Sequence, residues 1–161
     1  MSSPGQRHKQ RVLAMQGAEQ AACSGMATGA VADSLHLQLV ALEQDIARLR
    51  KLARIGDRVN MKRDELMPKY RPYVERYLAT VAESGQPYQN ELFQRLIIWA
   101  FDVGDFDAGI AWAELAIAQG QRTPNNIKRD WAHFVADTVL EWAEKQAAEG
   151  HAVEPWFSRV F

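Results

Sequence analysis

Three carboxylates, Asp102, Asp105 and Asp107, fall within one short stretch of the chain. Carboxylates this close can share a divalent cation, the arrangement that metal-dependent nucleases require. A structural reading competes with that one. Asp105 is placed to cap a helix, Asp107 lies at the positive end of the same helix, and Asp102 sits on the exposed side of the preceding one. Asp64 with Glu65 has similar standing and also serves to balance the basic residues beside it. The four histidines, His8, His36, His133 and His151, show no spacing typical of zinc ligands. Cys23 has no basic neighbour to activate its thiol. There is no phosphate-cradling glycine loop of the Walker type, no nucleophile elbow and no cysteine pair at metal spacing. No catalytic residue or metal ligand is assigned, and no cofactor is expected. Magnesium enters only if the carboxylates do act as a nuclease.

The second chemistry is cationic. Lys51, Arg54, Arg58 and Lys62 follow at spacings of three, four and four, which stack side chains on one face of a helix. Arg48, Arg50 and Arg63 widen that face, and Arg7, Lys9 and Arg11 form a smaller cluster near the N-terminus. Such a stripe suits a polyanion, with the backbone of nucleic acid the first candidate. The overall net charge is only −1. The halves differ: residues 1–63 hold ten Lys/Arg against five Asp/Glu, and residues 64–161 hold nine against fifteen. A basic half joined to an acidic half implies an anionic partner for one part only.

The elements that must position these groups are helical. Leu35, Leu39, Leu42, Ile46 and Leu49, with Ala53, recur at alternating spacings of four and three, the seam of a coiled coil. The seam spans fewer than three heptads before Gly56, so packing within the chain's own domain stays open beside an oligomer seam. Asp45 and Arg50 have the spacing that joins neighbouring helices of a parallel pair. Gly56 and Asp57 are expected to kink or end this helix, and Pro68 to stop it. A next helix carries Tyr70, Tyr73, Val74, Tyr77, Leu78 and Val81, and Ser84, Gly85 and Pro87 mark its end. Residues 89–103 are apolar on most sides and are expected at the centre of the domain. Gly104 and Asp105 then turn the chain into a second helix that closes at Gly120, a short-loop antiparallel hairpin. A last long helix is expected over 126–150, followed by an aromatic tail in which Trp156 is expected to face a partner.

No stretch shows sustained period-two alternation. The fold class is therefore all-α: a long N-terminal amphipathic, coiled-coil-like helix followed by a compact helical bundle with a helical hairpin. Three regions are expected: a flexible basic arm over 1–34, an oligomerisation helical region over 35–67 that carries the cationic stripe, and a helical core domain over 68–161. The single cysteine fits a reducing compartment. No apolar run approaches a membrane span and the N-terminus lacks the apolar core of a signal peptide, so no membrane partner is expected.

Several short signatures, in order, go further. Ser3-Pro4-Gly5-Gln6-Arg7-His8 opens the chain, and the leucine-rich helix follows. Then come Lys62-Arg63-Asp64-Glu65-Leu66-Met67-Pro68, Tyr70-Arg71-Pro72-Tyr73-Val74, Leu96-Ile97-Ile98-Trp99-Ala100-Phe101-Asp102-Val103-Gly104-Asp105 and Ala108-Gly109-Ile110-Ala111. Together they resemble the small terminase subunit of P2-like tailed phages, often described as the terminase endonuclease subunit. The resemblance covers most of the chain, and Trp99 to Asp105 is its most specific part. It implies a homo-oligomer, ring-like in form, that binds the packaging site on double-stranded phage DNA. It also implies delivery of that DNA to a large ATPase and nuclease subunit in the host cytoplasm. Arg7, Lys9, Arg11, Arg48, Arg50, Lys51, Arg54, Arg58, Lys62 and Arg63 would then contact DNA, and Leu35, Leu39, Leu42, Ile46 and Leu49 would form the oligomer seam. Two alternatives stand beside this reading: a metal-dependent endonuclease in its own right, and a helical adaptor that binds only protein.

Overall fold

Turns and caps at the junctions decide where each helix begins and ends. The computed structural model describes residues 34–161, and these are all-α, with helices and no strand. The chain divides into two units, Met1–Glu43 and Gln44–Phe161. The first helix, α1, covers residues 34–51. It is followed by α2 (Ile55–Met61), a π-helical turn (Lys62–Leu66), α3 (Met67–Ser84), α4 (Glu91–Asp102), α5 (Phe106–Ala118), α6 (Trp131–Ala148) and the short α7 (Trp156–Val160).

Within the unit Gln44–Phe161, α4 is the centre. Leu92, Phe93, Leu96, Ile97, Trp99 and Ala100 are all buried, and α4 packs against both α3 and α5. The layers continue outward, with α6 on α5 and α7 on α6. On α3 the buried residues Met67, Tyr70, Val74 and Tyr77 recur every three or four positions. On α6 the buried set Trp131, Val135, Val139 and Ala143 recurs every four. Both are the stripe of a helix covered on one side.

The α4–α5 hairpin forms as the residues dictate. Gly104 takes φ +82°, the left-handed conformation that closes a helix, and the Asp105 amide donates to the Ala100 carbonyl at 2.8 Å. The Asp105 carboxylate then accepts from the Ala108 amide at 3.2 Å and caps α5. At Gly109 the two helices approach so closely that an added Cβ would lie 2.9 Å from the Phe101 ring. That ring cannot swing freely, because Phe106 and Phe134 pack edge-on against it. Gly109→Ala is expected to cost about 1–3 kcal/mol through overpacking, read as a lowered midpoint in urea unfolding.

Three junctions and one side chain depart from the sequence expectations. The break after α1 falls at residues 52–54, not at Gly56, which lies inside α2. The Leu52 amide folds back onto the Leu49 carbonyl at 3.2 Å and reverses the chain early. The helix does not stop at Pro68: helical structure runs without a gap from Ile55 to Ser84. The wide turn Lys62–Leu66 ends two residues before Pro68 and opens the backbone where the proline ring would otherwise clash with the carbonyl four residues back. The last long helix starts at Trp131, because Asp130 caps it by accepting from the His133 amide at 2.9 Å. Trp156 does not stand out for a partner. It packs on Phe106 and Trp142 and donates its indole N–H to Asp107 at 3.1 Å.

A buried polar knot joins α3, α4 and the loop that follows α5. The Gln121 side chain donates to the Tyr77 hydroxyl at 2.7 Å and to the Tyr88 carbonyl at 2.6 Å. It accepts from the Asn90 amide at 3.0 Å and from Gln94 at 3.1 Å. Burial pushes the Tyr77 hydroxyl up from its ordinary pKa, so it stays a neutral donor. Tyr77, Tyr88 and Gln94 keep other partners if Gln121 is removed, whereas the Asn90 amide loses its only one. Gln121→Leu is therefore expected to cost about 2 kcal/mol, the price of one orphaned buried donor, measured by chemical denaturation.

Candidate nucleic-acid interface

The cationic residues gather at one end of a helical hairpin. Within residues 44–51, later positions of α1 pair with earlier positions of the following helix, so the two segments run antiparallel. Arg48 makes a bidentate contact with Glu65 at 2.6 and 3.1 Å. Three positions earlier, Asp45 meets Lys69 at 2.6 Å and the Tyr70 hydroxyl at 2.7 Å. The reversal at 52–54 is thus the hairpin's tip. The Arg58 Nε–H donates to the Leu52 carbonyl at 2.7 Å and clamps that turn by satisfying an acceptor at the end of α1.

Asp45 holds the hairpin together. It is buried, with its carboxylate also accepting from Arg48 at 2.9 Å. Burial alone would raise its pKa. The hydrogen bonds from Lys69, Tyr70 and Arg48 outweigh that and hold the carboxyl below the usual carboxylate range. Tyr70 is pushed the other way, by burial first and by its hydrogen bond to Asp45 second, so its hydroxyl stays a donor. The contact also changes the reading of Asp45 as one half of a pair with Arg50 of a neighbouring helix: its carboxylate is spent inside its own chain.

The predicted DNA-contacting residues separate into three sets. Arg50, Lys51 and Arg54 are exposed, with no ion pair or hydrogen bond from their side chains among the described residues. Arg48, Arg58, Lys62 and Arg63 are engaged. Arg48 binds Asp45 and Glu65, Arg58 clamps the turn, and Lys62 meets Asp102 at 2.6 Å. Arg63 meets Asp64 at 3.0 Å and Asn60 at 2.7 Å. Arg7, Lys9 and Arg11 lie outside the described residues.

Sequence reasoning missed Arg95, on α4. It is half-buried and makes no ion pair or hydrogen bond among the described residues. Burial, and then the like charge of Arg50, push its pKa down. A cation that is desolvated, repelled by a neighbour and left without a partner is suited to receiving an anion. The available signal was that Arg95 is the one basic residue of a mostly apolar helix.

The apolar seam is placed unevenly. Leu42 and Leu49 are buried, while Leu35, Leu39 and Ile46 are half-covered. Leu37 and Val40, outside the seam, are the exposed large apolar residues of α1.

The three loop carboxylates go to three different partners. Asp102 pairs with Lys62, Asp105 caps α5 and binds Arg71 at 2.9 Å, and Asp107 accepts from Trp156 with Arg159 at 3.7 Å. Among the described residues, no group of three His, Cys, Asp or Glu side chains is arranged to hold a metal ion.

The described residues form an all-α domain that carries a clamped helical hairpin with a cationic tip. The chain belongs to the phage small terminase subunit family, which it matches over residues 39–161. It is similar to the "Probable terminase, endonuclease subunit" of Haemophilus phage HP1, 36% identical over 122 residues, or 76% of this chain and 42% of the relative. It is also similar to the "Terminase, endonuclease subunit" of Escherichia phage P2, 25% identical over 154 residues, or 96% of this chain and 59% of the relative. The chain therefore spans roughly half the length of these relatives. No solved structure matches it. Among the described residues, no helix is long and apolar enough to cross a membrane.

Proposed function

We propose that this chain is the DNA-engaging subunit of a phage packaging terminase, working in the host cytoplasm. It binds double-stranded DNA through the hairpin tip as a homo-oligomer, ring-like in arrangement, and delivers it to the large ATPase and nuclease subunit. Family membership supports the packaging role. The observation that supports the DNA contact is the trio Arg50, Lys51 and Arg54, without ion pairs among the described residues, at the end of a hairpin where the neighbouring Arg48, Arg58, Lys62 and Arg63 are engaged. Arg95 adds a fourth cation beside Arg50. Lys62 and Arg63 contribute less, since each must first leave an acidic or amide partner.

The chain is slightly acidic overall, and three or four phosphate contacts per protomer give weak binding. Repeating the tip around an oligomer multiplies those contacts without raising the charge of any one copy. The apolar residues of α1, with Leu35, Leu39 and Ile46 half-covered, supply the oligomer seam under this reading. The proposed division of labour is a basic arm over 1–34, an oligomerising and DNA-binding region over 35–67, and a helical core over 68–161. Multi-angle light scattering with and without packaging-site DNA tests it. A defined oligomer that gains the mass of one duplex is the expected result. A monomer that ignores DNA at physiological salt would reject this reading in favour of a protein-only adaptor.

A second reading, cleavage by this chain itself, is favoured by the relatives' printed names. Its candidate carboxylates Asp102, Asp105 and Asp107 are each committed to a separate partner. Incubating the chain with supercoiled DNA and magnesium or manganese decides it. Nicking that vanishes on triple alanine replacement of these residues would restore the nuclease.

A further inference from the structure

Ile55 stands in the midst of the cationic tip and is the most exposed large apolar residue among those described, at 78%. It is the first residue of α2, flanked by Arg54 and, one turn on, Arg58. It extends the inward stripe of its helix: Leu66 is buried, Lys62 and Val59 are half-covered, and Ile55 comes one turn further, past the end of the core. Gly56 beside it has nothing within 4 Å of where a Cβ would stand, so the surface around the tip is open. The Arg58 clamp on the Leu52 carbonyl fixes the turn from which Ile55 projects.

Leaving most of an isoleucine in water forfeits the gain from burying it, so the occupant that covers it matters. Between residues 48 and 58 there are five Arg/Lys against one Asp. That charge argues against a second copy of the same tip, since an isologous contact would bring like charges together. It argues for a polyanion with an apolar interior. Duplex DNA has this character: phosphates outside and stacked bases within.

We propose that Ile55 is an apolar wedge that enters a base step of the bound duplex and kinks it, while Arg50, Lys51 and Arg54 hold the flanking phosphates. This deepens the DNA-binding reading above and rests on it. Wedge side chains of this kind partially unstack a step in exchange for a bent duplex that meets more protein surface. Easily unstacked pyrimidine–purine steps would be the preferred entry points, which gives a near-neutral protein a means of site preference without hydrogen bonds to base edges.

The test uses the full chain, a duplex carrying 2-aminopurine at successive steps of the packaging site, and end-labelled duplex for bend measurement by energy transfer. Wild type is expected to raise 2-aminopurine fluorescence at one step and to shorten the end-to-end distance. Ile55→Ala is expected to lose both signals, with affinity reduced by about tenfold or less and the salt slope unchanged. A mismatch placed at that step should tighten wild-type binding and leave Ile55→Ala indifferent, because the unstacking cost is already met. Equal bending by Ile55→Ala overturns the wedge and leaves DNA binding standing. A fall in oligomer mass for Ile55→Ala by light scattering, or loss of wild-type binding to anionic phosphatidylserine vesicles on that substitution, assigns the residue to a subunit contact or a lipid surface instead and likewise overturns it. Absence of any DNA binding by wild type rejects the underlying reading rather than the wedge alone.

Discussion

Reversing three charges, Arg50→Glu, Lys51→Glu and Arg54→Glu together, is expected to reduce DNA affinity at least about a hundredfold near physiological salt while leaving thermal stability unchanged. Each lost phosphate contact lowers the slope of log affinity against log salt by about 0.9. Removing three per protomer, and adding three repulsive charges, acts on every copy that touches the duplex. Stability is spared because none of the three side chains has an ion pair or hydrogen bond among the described residues. Arg58 is left out of the set deliberately. Its guanidinium closes the turn at Leu52, so its loss would confuse a binding defect with a misshapen tip. Fluorescence anisotropy over a salt series, with a parallel thermal melt, checks the expectation. Undiminished binding by the triple variant would remove the tip as the contact.

The division between available and engaged cations could not be seen in spacing. Lys51, Arg54, Arg58 and Lys62 do stack on one face by period, but period says nothing of partners. Arg48 is held by Glu65, 17 positions away, as well as by nearby Asp45, and Lys62 by Asp102, 40 positions away. The helical character, the α4–α5 hairpin and the Asp105 cap were legible because each rests on local chemistry: apolar period, a left-handed glycine and a short-range side-chain acceptor. Pro68 misled because its usual effect assumes a regular α-helix before it, and the π turn removes that premise. Asp45 and Gln121 were invisible for a deeper reason. A polar residue is buried only when distant partners satisfy it, and Asp45 finds Tyr70 across 25 positions. Trp156 falls in the same class, since its partners Phe106, Asp107 and Trp142 come from other helices.

Asp45 also sets the second large effect, because it binds residues 44–51 to the helix that follows. Asp45→Ala leaves the hydroxyl of Tyr70, a residue only 1% exposed, without an acceptor, and strips Lys69 of its carboxylate. Arg48 keeps Glu65 and is less affected. Breaking a buried charged network costs about 3–5 kcal/mol, and the partial exposure of Lys69 and Arg48 brings the expectation to about 3 kcal/mol. Asp45→Asn keeps an acceptor for Tyr70 and should lose less. The two variants also differ from wild type in their response to acid. The native carboxyl titrates below its unfolded value, so its charge stabilises the fold above the unfolded carboxylate range and that contribution disappears as pH falls through the native value. Wild type should therefore lose part of its stability below about pH 4, and the gap between wild type and Asp45→Asn should narrow over the same interval. Denaturant melts from pH 7 to pH 3 measure the gap, and a constant difference across that range would show that the Asp45 charge does not contribute. Amide exchange in 44–54 supplies the link to function. If the Asp45 contacts hold the tip in its binding geometry, Asp45→Ala should speed exchange there and weaken DNA binding, even at temperatures where the rest of the domain stays folded.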